Sequence, residues 1–156
     1  MPRSVRMTSA DAWAVLERAH TGILTSLRRD GAPVSLPVWF VALDRRIYVA
    51  GPDHTKKFAR IRNDPRVSFL VESGRLWAEL VGVHLTGHAR VLDDRNQLER
   101  VDAALDAKYA GFRTPHPDMP AATRAHYETQ TTTIEIVPDD RILSWDNSRV
   151  LAPEPT

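Results

Sequence analysis

The sequence predicts a mainly β fold: an antiparallel barrel with peripheral α-helices. Three observations carry this. Strand-like segments fill about seventy residues from Gly22 onward, separated by tight turn signals. Strands follow strands directly, without the strand–helix alternation of a parallel sheet. Helical periodicity is confined to the front, the middle and a stretch near the end, so the helices flank the sheet. Closing into a barrel is how a sheet of this size removes its unpaired edges.

The elements follow in order. Ala12, Val15, Leu16 and Ala19 recur at helical spacing between Thr8 and His20, with Thr8 as N-cap and Asp11 completing a capping box. Gly22–Leu27 is a short strand and Asp30-Gly31 a turn. Val34–Leu43 is long, apolar and aromatic, which predicts a central strand. Pro37 inside it cannot donate to a ladder, so the strand has an edge, a bulge or a non-sheet neighbour there. Asp44–Arg46 turns into Ile47–Ala50. An amphipathic helix packed through Phe58 and Ile61 ends at Asn63-Asp64-Pro65. Val67–Glu72 and Arg75–Val81 flank Ser73-Gly74 as a hairpin. Val83–Leu92 places His84, Thr86, His88 and Arg90 on one face. The spacing of Leu98, Val101, Leu105 and Tyr109, after Asp94 and Gln97, predicts a helix. Ala110–Pro120 reads as a loop and Ala121–Tyr127 as a short helix. A strand runs to Val137, with Ile134 and Ile136 on one face and Thr133 and Glu135 on the other. Pro138–Asp140 is a turn, Arg141–Trp145 a last strand, and Ala152–Thr156 a frayed end.

Composition limits the function classes. The 156 residues fit one domain, 1–156, and 42% hydrophobic content supports one core. A net charge of +1 is no argument for nucleic acid, which would want a basic face. Without cysteine there is no disulfide, thiolate catalysis or cysteine-ligated metal. No stretch reaches the roughly 18 apolar residues of a membrane helix, and the N-terminus lacks a signal-peptide apolar run, so a cytoplasmic location is expected. The strand histidines His84 and His88 have no carboxylate spaced to complete a metal site.

No Gly-x-Ser-x-Gly, His-Glu-x-x-His or Gly-x-Gly-x-x-Gly motif occurs, and no carboxylate pair is spaced for acid–base work, so no catalytic side chain is assigned. In an enzyme of this kind a cofactor supplies the chemistry and the protein binds and orients it. Two of the three lysines, Lys56 and Lys57, stand together at a helix start, where the dipole favours anions. Thr55 can contribute a hydroxyl, and Arg60 lies one turn on. A bound phosphate and a solvated, charged helix both fit this spacing. The third lysine, Lys108, sits on a peripheral helix and is expected to be a bystander. A second candidate is Ser35-Leu36-Pro37-Val38-Trp39-Phe40: backbone groups at the proline irregularity can meet a heterocycle edge, and Trp39 offers a flat apolar surface. Trp77, in face with Glu79 and Val81, reads equally as core, dimer seam or pocket wall.

Several motifs together resemble the pyridoxamine-phosphate-oxidase-like superfamily of split β-barrel flavoproteins, and within it the actinobacterial flavin- and deazaflavin-dependent oxidoreductases. They are Thr21-Gly22-Ile23-Leu24-Thr25-Ser26, Asp30-Gly31-Ala32-Pro33, Pro37-Val38-Trp39-Phe40, Thr55-Lys56-Lys57, Asn63-Asp64-Pro65-Arg66-Val67 and Thr86-Gly87-His88-Ala89, spread over residues 21–92. The resemblance implies a homodimer with a cofactor at each interface and a small-molecule substrate. It implies that Ser35, Pro37, Val38 and Trp39 run beside the cofactor ring, that Thr55, Lys56 and Lys57 hold its phosphate, with Arg60 in reach, and that Trp77 and Glu79 complete the pocket from the second subunit. The chain lacks the arginine- and histidine-bearing C-terminal signature with which true pyridoxamine phosphate oxidases hold substrate, which argues against vitamin B6 oxidation. Arg60, Arg62 and the Arg28–Arg29 pair could line a channel for an oligoglutamate tail, which favours the 8-hydroxy-5-deazaflavin cofactor (coenzyme F-420) and hydride transfer to a small conjugated substrate. The alternatives are an FMN-dependent oxidoreductase of the same fold and a protein that holds a flavin, deazaflavin or tetrapyrrole without turnover.

Overall fold

The structure, a computed structural model, describes residues 4–151. Seven strands form one antiparallel sheet: β1 (Gly22–Leu27), β2 (Pro33–Val38), β3 (Val41–Leu43), β4 (Arg46–Pro52), β5 (Arg66–Ser73), β6 (Val81–Val91) and β7 (Thr131–Asp146). The helices are α1 (Ser9–Arg18), α2 (Lys56–Asn63), α3 (Arg95–Tyr109) and α4 (Ala121–Tyr127). Among the described residues no helix is long and apolar enough to cross a membrane.

The strand order is β2-β1-β5-β6-β7-β4-β3. The edge strands β2 and β3 are therefore consecutive in the chain, joined only by Trp39 and Phe40. Three Cα steps span at most about 11 Å, so the two edges must approach each other. The sheet curls into a split β-barrel with flanking helices, as the sequence predicts.

The predicted central strand Val34–Leu43 is corrected by this arrangement. It divides into β2, paired with β1, and β3, paired with β4 at the opposite edge. Pro37 lies on an edge strand, where its missing N–H leaves no gap in a ladder. The predicted strand Arg75–Val81 is also corrected. The β5–β6 connection turns at Gly74, whose φ of +102° disfavours a side chain, and continues as a 3₁₀ turn at Trp77–Glu79. Pro138–Asp140 is an irregularity inside the single long strand β7, where the β6 partner shifts between Leu85 and Gly87. The expected fraying of Ala152–Thr156 lies outside the described residues.

The local signals act as predicted at two helix starts. Thr8 Oγ1 accepts the Asp11 N–H at 3.1 Å, and Asp94 Oδ1 accepts the Gln97 N–H at 2.8 Å. The main core joins α1 and α2 to the sheet interior through Leu16, Phe40, Phe58, Phe69, Leu85 and Ile134. A second core lies outside the sheet, where α3 places Val101, Leu105 and Tyr109 against Val41, Tyr48 and Leu92. This second layer explains why Ile47, Tyr48 and Val49 are all buried on successive faces of β4. Glu135, on the face of β7 opposite Ile134, is buried beside Tyr48 of this layer. Its carboxylate accepts from Arg46 at 3.1 Å, Tyr48 OH at 3.1 Å and Arg90 at 2.6 Å. Burial alone would raise the Glu135 pKa; Arg90, Tyr48 and Arg46 outweigh it, and the pKa is lowered.

Candidate functional site

A cleft of about 420 Å³ opens at the split in the barrel. One wall is Thr21 with Pro37, Val38 and Trp39; the other is Val49, Ala50, Gly51 and Pro52 of β4. These walls come from opposite ends of the strand order. Thr55 and Lys57 close one end, and His126 and Tyr127 of α4 complete the rim. The volume lies in the range of small-ligand and cofactor sites, roughly 300–1,000 Å³.

One end of the cleft is built on the start of α2. Thr55 occupies the N-cap position, yet its hydroxyl donates to the Pro52 carbonyl at 3.0 Å and makes no cap bond, and the first turn carries no acidic residue. The leading N–H groups of such a helix have no intrahelical acceptor. Lys57 lies within this frame, partly buried, its ammonium 4.8 Å from the Phe58 ring centroid. Burial, and then the nearby Arg60 charge, lower its pKa. Gly51 makes room for it: a Cβ there would stand 3.2 Å from Lys57 Nζ. A desolvated ammonium, a free helix start and a glycine floor together fit a phosphate.

The other end is flat and aromatic. Trp39 stacks on Tyr109 with ring centroids 4.3 Å apart and planes 1° apart, and meets His20 edge-on at 5.9 Å. Tyr109 OH lies 2.7 Å from the His20 carbonyl and 2.9 Å from both the N–H and the carbonyl of Phe40. One phenol proton serves one carbonyl at a time. Lys108 donates to the Phe40 carbonyl at 2.9 Å, so both carbonyls are satisfied. Lys108 also lies 3.9 Å from the Phe40 ring centroid, and burial lowers its pKa to about 8. Lys108 is off the cleft lining, and its role is structural: it clamps the link between the two sheet edges. A polar residue on a mostly exposed helix carries no local signal of such a long-range bond.

Of the residues singled out from sequence, Pro37, Val38, Trp39, Thr55 and Lys57 lie on this cleft. Ser35 lies further along β2, its Oγ 2.8 Å from Thr25 Oγ1. Lys56 is exposed to solvent. Arg60 turns its Nε to the buried Ser26 hydroxyl at 2.9 Å. Arg62 pairs with Asp53 at 2.6 Å. Trp77 and Glu79 sit in the β5–β6 loop, where Glu79 Oε2 accepts the Arg75 and Leu76 N–H groups at 3.3 Å. The cleft residues that sequence reasoning missed are Thr21, Val49–Pro52, His126 and Tyr127. The last two arrive from α4, about seventy residues after α2, and no motif links the segments.

Comparison with known proteins agrees with this architecture. The family model described as pyridoxamine 5'-phosphate oxidase matches residues 9–139. A conserved hypothetical protein of Mycobacterium tuberculosis is 27% identical, over 98% of this chain and 93% of that one, with a TM-score of 0.79. A FAD-binding protein of Mesorhizobium loti shares the fold at 18% identity, over 88% and 93% of the two chains, with a TM-score of 0.67. A haem storage protein of Vibrio cholerae shares it at 10% identity, over 92% and 99%, with a TM-score of 0.68. A search of curated proteins returned no match. The family match spans most of the chain, the barrel is split where its cleft opens, and the chain belongs to the pyridoxamine 5'-phosphate oxidase family.

Proposed function

We propose that this protein is an FMN-dependent oxidoreductase acting on a small conjugated substrate. The observation that carries this is the two-ended cleft: a partly desolvated Lys57 at a helix start, and the pinned apolar face of Trp39 beside the edge strand at Pro37. A phosphate at the first end and a planar ring near the second match the polarity of a flavin mononucleotide. When bound, the flavin supplies the two-electron chemistry, and the chain's own residues bind, orient and exclude water. The Mesorhizobium loti protein of the same fold is named as FAD-binding, which supports a flavin as the class of ligand.

The 8-hydroxy-5-deazaflavin reading, with its actinobacterial branch, is the competing assignment. It rests on free basic charge for an oligoglutamate tail. Arg62 is committed to Asp53 and Arg60 to Ser26, which leaves the Arg28–Arg29 pair at the β1–β2 turn as its support. A plain phosphate needs none of these charges, and FMN is the better supported ligand. We further propose that a second copy of the chain closes the open side of the cleft and contributes Trp77 and Glu79. The 65% and 64% exposure of Leu76 and Trp77 supports a contact at that loop.

The test is a titration of ligand-free protein with FMN and with the oligoglutamyl deazaflavin under identical conditions, with mass measured by light scattering. FMN binding the more tightly, to a dimer, is expected. Deazaflavin binding alone would replace the FMN assignment. Binding without reoxidation of the reduced complex by any quinone would move the protein to the non-catalytic class.

A further inference from the structure

The rim of the cleft carries a pair of histidines that the flavin reading leaves unused. His126 lines the cleft, and its Nδ1 lies 3.1 Å from His54 Nε2, with the rings crossed at 88°. The contact needs one proton between two lone pairs, and the surrounding bonds say whose it is. Thr129 Oγ1 donates to the His126 carbonyl at 2.9 Å. The same oxygen, its proton spent, lies 3.4 Å from His54 Nδ1 and acts there as acceptor. His54 therefore carries its proton on Nδ1 and offers Nε2 as acceptor. His126 must then hold its proton on Nδ1, which leaves its Nε2 as the site that gains and loses one.

This is the arrangement of an oriented acid–base group: one imidazole fixed in tautomer by a second, which is fixed in turn by a hydroxyl. The other ionisable side chains lining the cleft are Lys57, at the anion end, and Tyr127, whose ring lies 5.1 Å from that of His126. Around His54 stand Asp53, held by Arg62 and Thr132, and Thr129. Asp53 and His54 attract each other when the imidazole is charged.

We propose that His126 is the proton donor of the reaction in this cleft and that His54 is its positioning residue. The proposal rests on the flavin-oxidoreductase reading. In the reductive direction the substrate's conjugated π bond breaks. A reduced flavin, when bound, would supply the hydride for one new bond, and His126 in its charged form gives its Nε2 proton for the other. The flavin is oxidised by two electrons, the substrate is reduced by two, and water returns a proton to His126. For a quinone the product is the hydroquinone.

The test uses the full chain with FMN, reduced anaerobically by dithionite. Reoxidation by menadione, which takes up both hydride and proton, is compared with reoxidation by ferricyanide, which takes electrons alone. In His126→Gln the ratio of the menadione rate to the ferricyanide rate should fall at least about 10-fold near neutral pH. Its decline with rising pH, present in the wild type, should disappear. His54→Ala should retain that decline at a shifted pH. Independently of turnover, imidazole ¹⁵N spectra of the ligand-free protein should show neutral His126 protonated on Nδ1. An unchanged rate ratio in His126→Gln, or a His126 proton on Nε2 in the neutral form, overturns the proposal while leaving the flavin reading intact. Failure of the wild type to hold FMN overturns both.

Discussion

The indole of Trp39 and the phenol ring of Tyr109 lie parallel, 4.3 Å apart, although the first sits at a sheet edge and the second ends α3. The stack fixes the residue that leads from β2 to β3, and the Tyr109 hydroxyl fixes the next one through the Phe40 N–H. Tyr109→Phe keeps the ring and removes the hydroxyl. It should lower stability by about 1–3 kcal/mol, because the buried Phe40 N–H and the His20 carbonyl lose a partner. Denaturant midpoints measure this, and an unchanged midpoint would show that water replaces the hydroxyl.

Lys57→Ala should weaken FMN binding by about 1.5–3 kcal/mol, the scale of a charge-assisted bond. Lys56→Ala, at an exposed position, should cost less, and Arg95→Ala on the far exposed face of α3 should cost nothing measurable. Isothermal titration of the three variants ranks them. Equal losses for Lys57→Ala and Arg95→Ala would remove the phosphate from the start of α2.

Lys108 gives a pH signature. Its folded pKa is about 8, against an ordinary value of 10.5. Between these values the unfolded chain holds a proton that the folded chain lacks, so this group makes stability rise with pH across that window. Wild type minus Lys108→Met, measured by urea denaturation from pH 7 to 10.5, should show that rise. A flat difference would mean that the ammonium is fully hydrated in the folded protein.

The β3–β4 hairpin turns on Asp44 and Arg45, with φ of 50° and 58°. Both sit in the left-handed region, where a non-glycine side chain is strained. Asp44 is held by Arg100 at 2.6 Å, while Arg45 makes only an exposed 3.3 Å contact with Ser9. Arg45→Gly should therefore stabilise the protein by about 0.5–1 kcal/mol after the extra chain entropy of glycine is subtracted. Thermal unfolding decides the sign.

The readable parts of the fold were those set by neighbours in sequence. Thr8 and Asp94 signal helix starts because their bonds reach three residues ahead. The alternation of β6 is visible because one face meets the core. The division of Val34–Leu43 was not readable, since nothing in its composition says that its two halves lie on opposite edges of the sheet. The alternation put Glu135 on the face opposite Ile134 but could not show its burial, which comes with Tyr48, Arg46 and Arg90 from two other strands. In the cleft, Lys57 and Trp39 were visible as a misplaced cation and an aromatic beside proline. His126 was not: its role depends on His54, seventy-two residues away.

The position of β7 has a consequence for how the protein is made. β4 has β3 along one edge from the start, but its partner along the other edge is β7, roughly 80 residues later in the chain. At ribosomal speeds of about 5–20 residues per second, that strand waits several seconds for its neighbour. During this interval Ile47, Tyr48 and Val49 are an apolar run paired only with the short strand β3. Both walls of the cleft then come into register together, when the last strand is laid between β6 and β4. A nascent chain halted before Thr131 should therefore bind no ligand at all, rather than bind weakly.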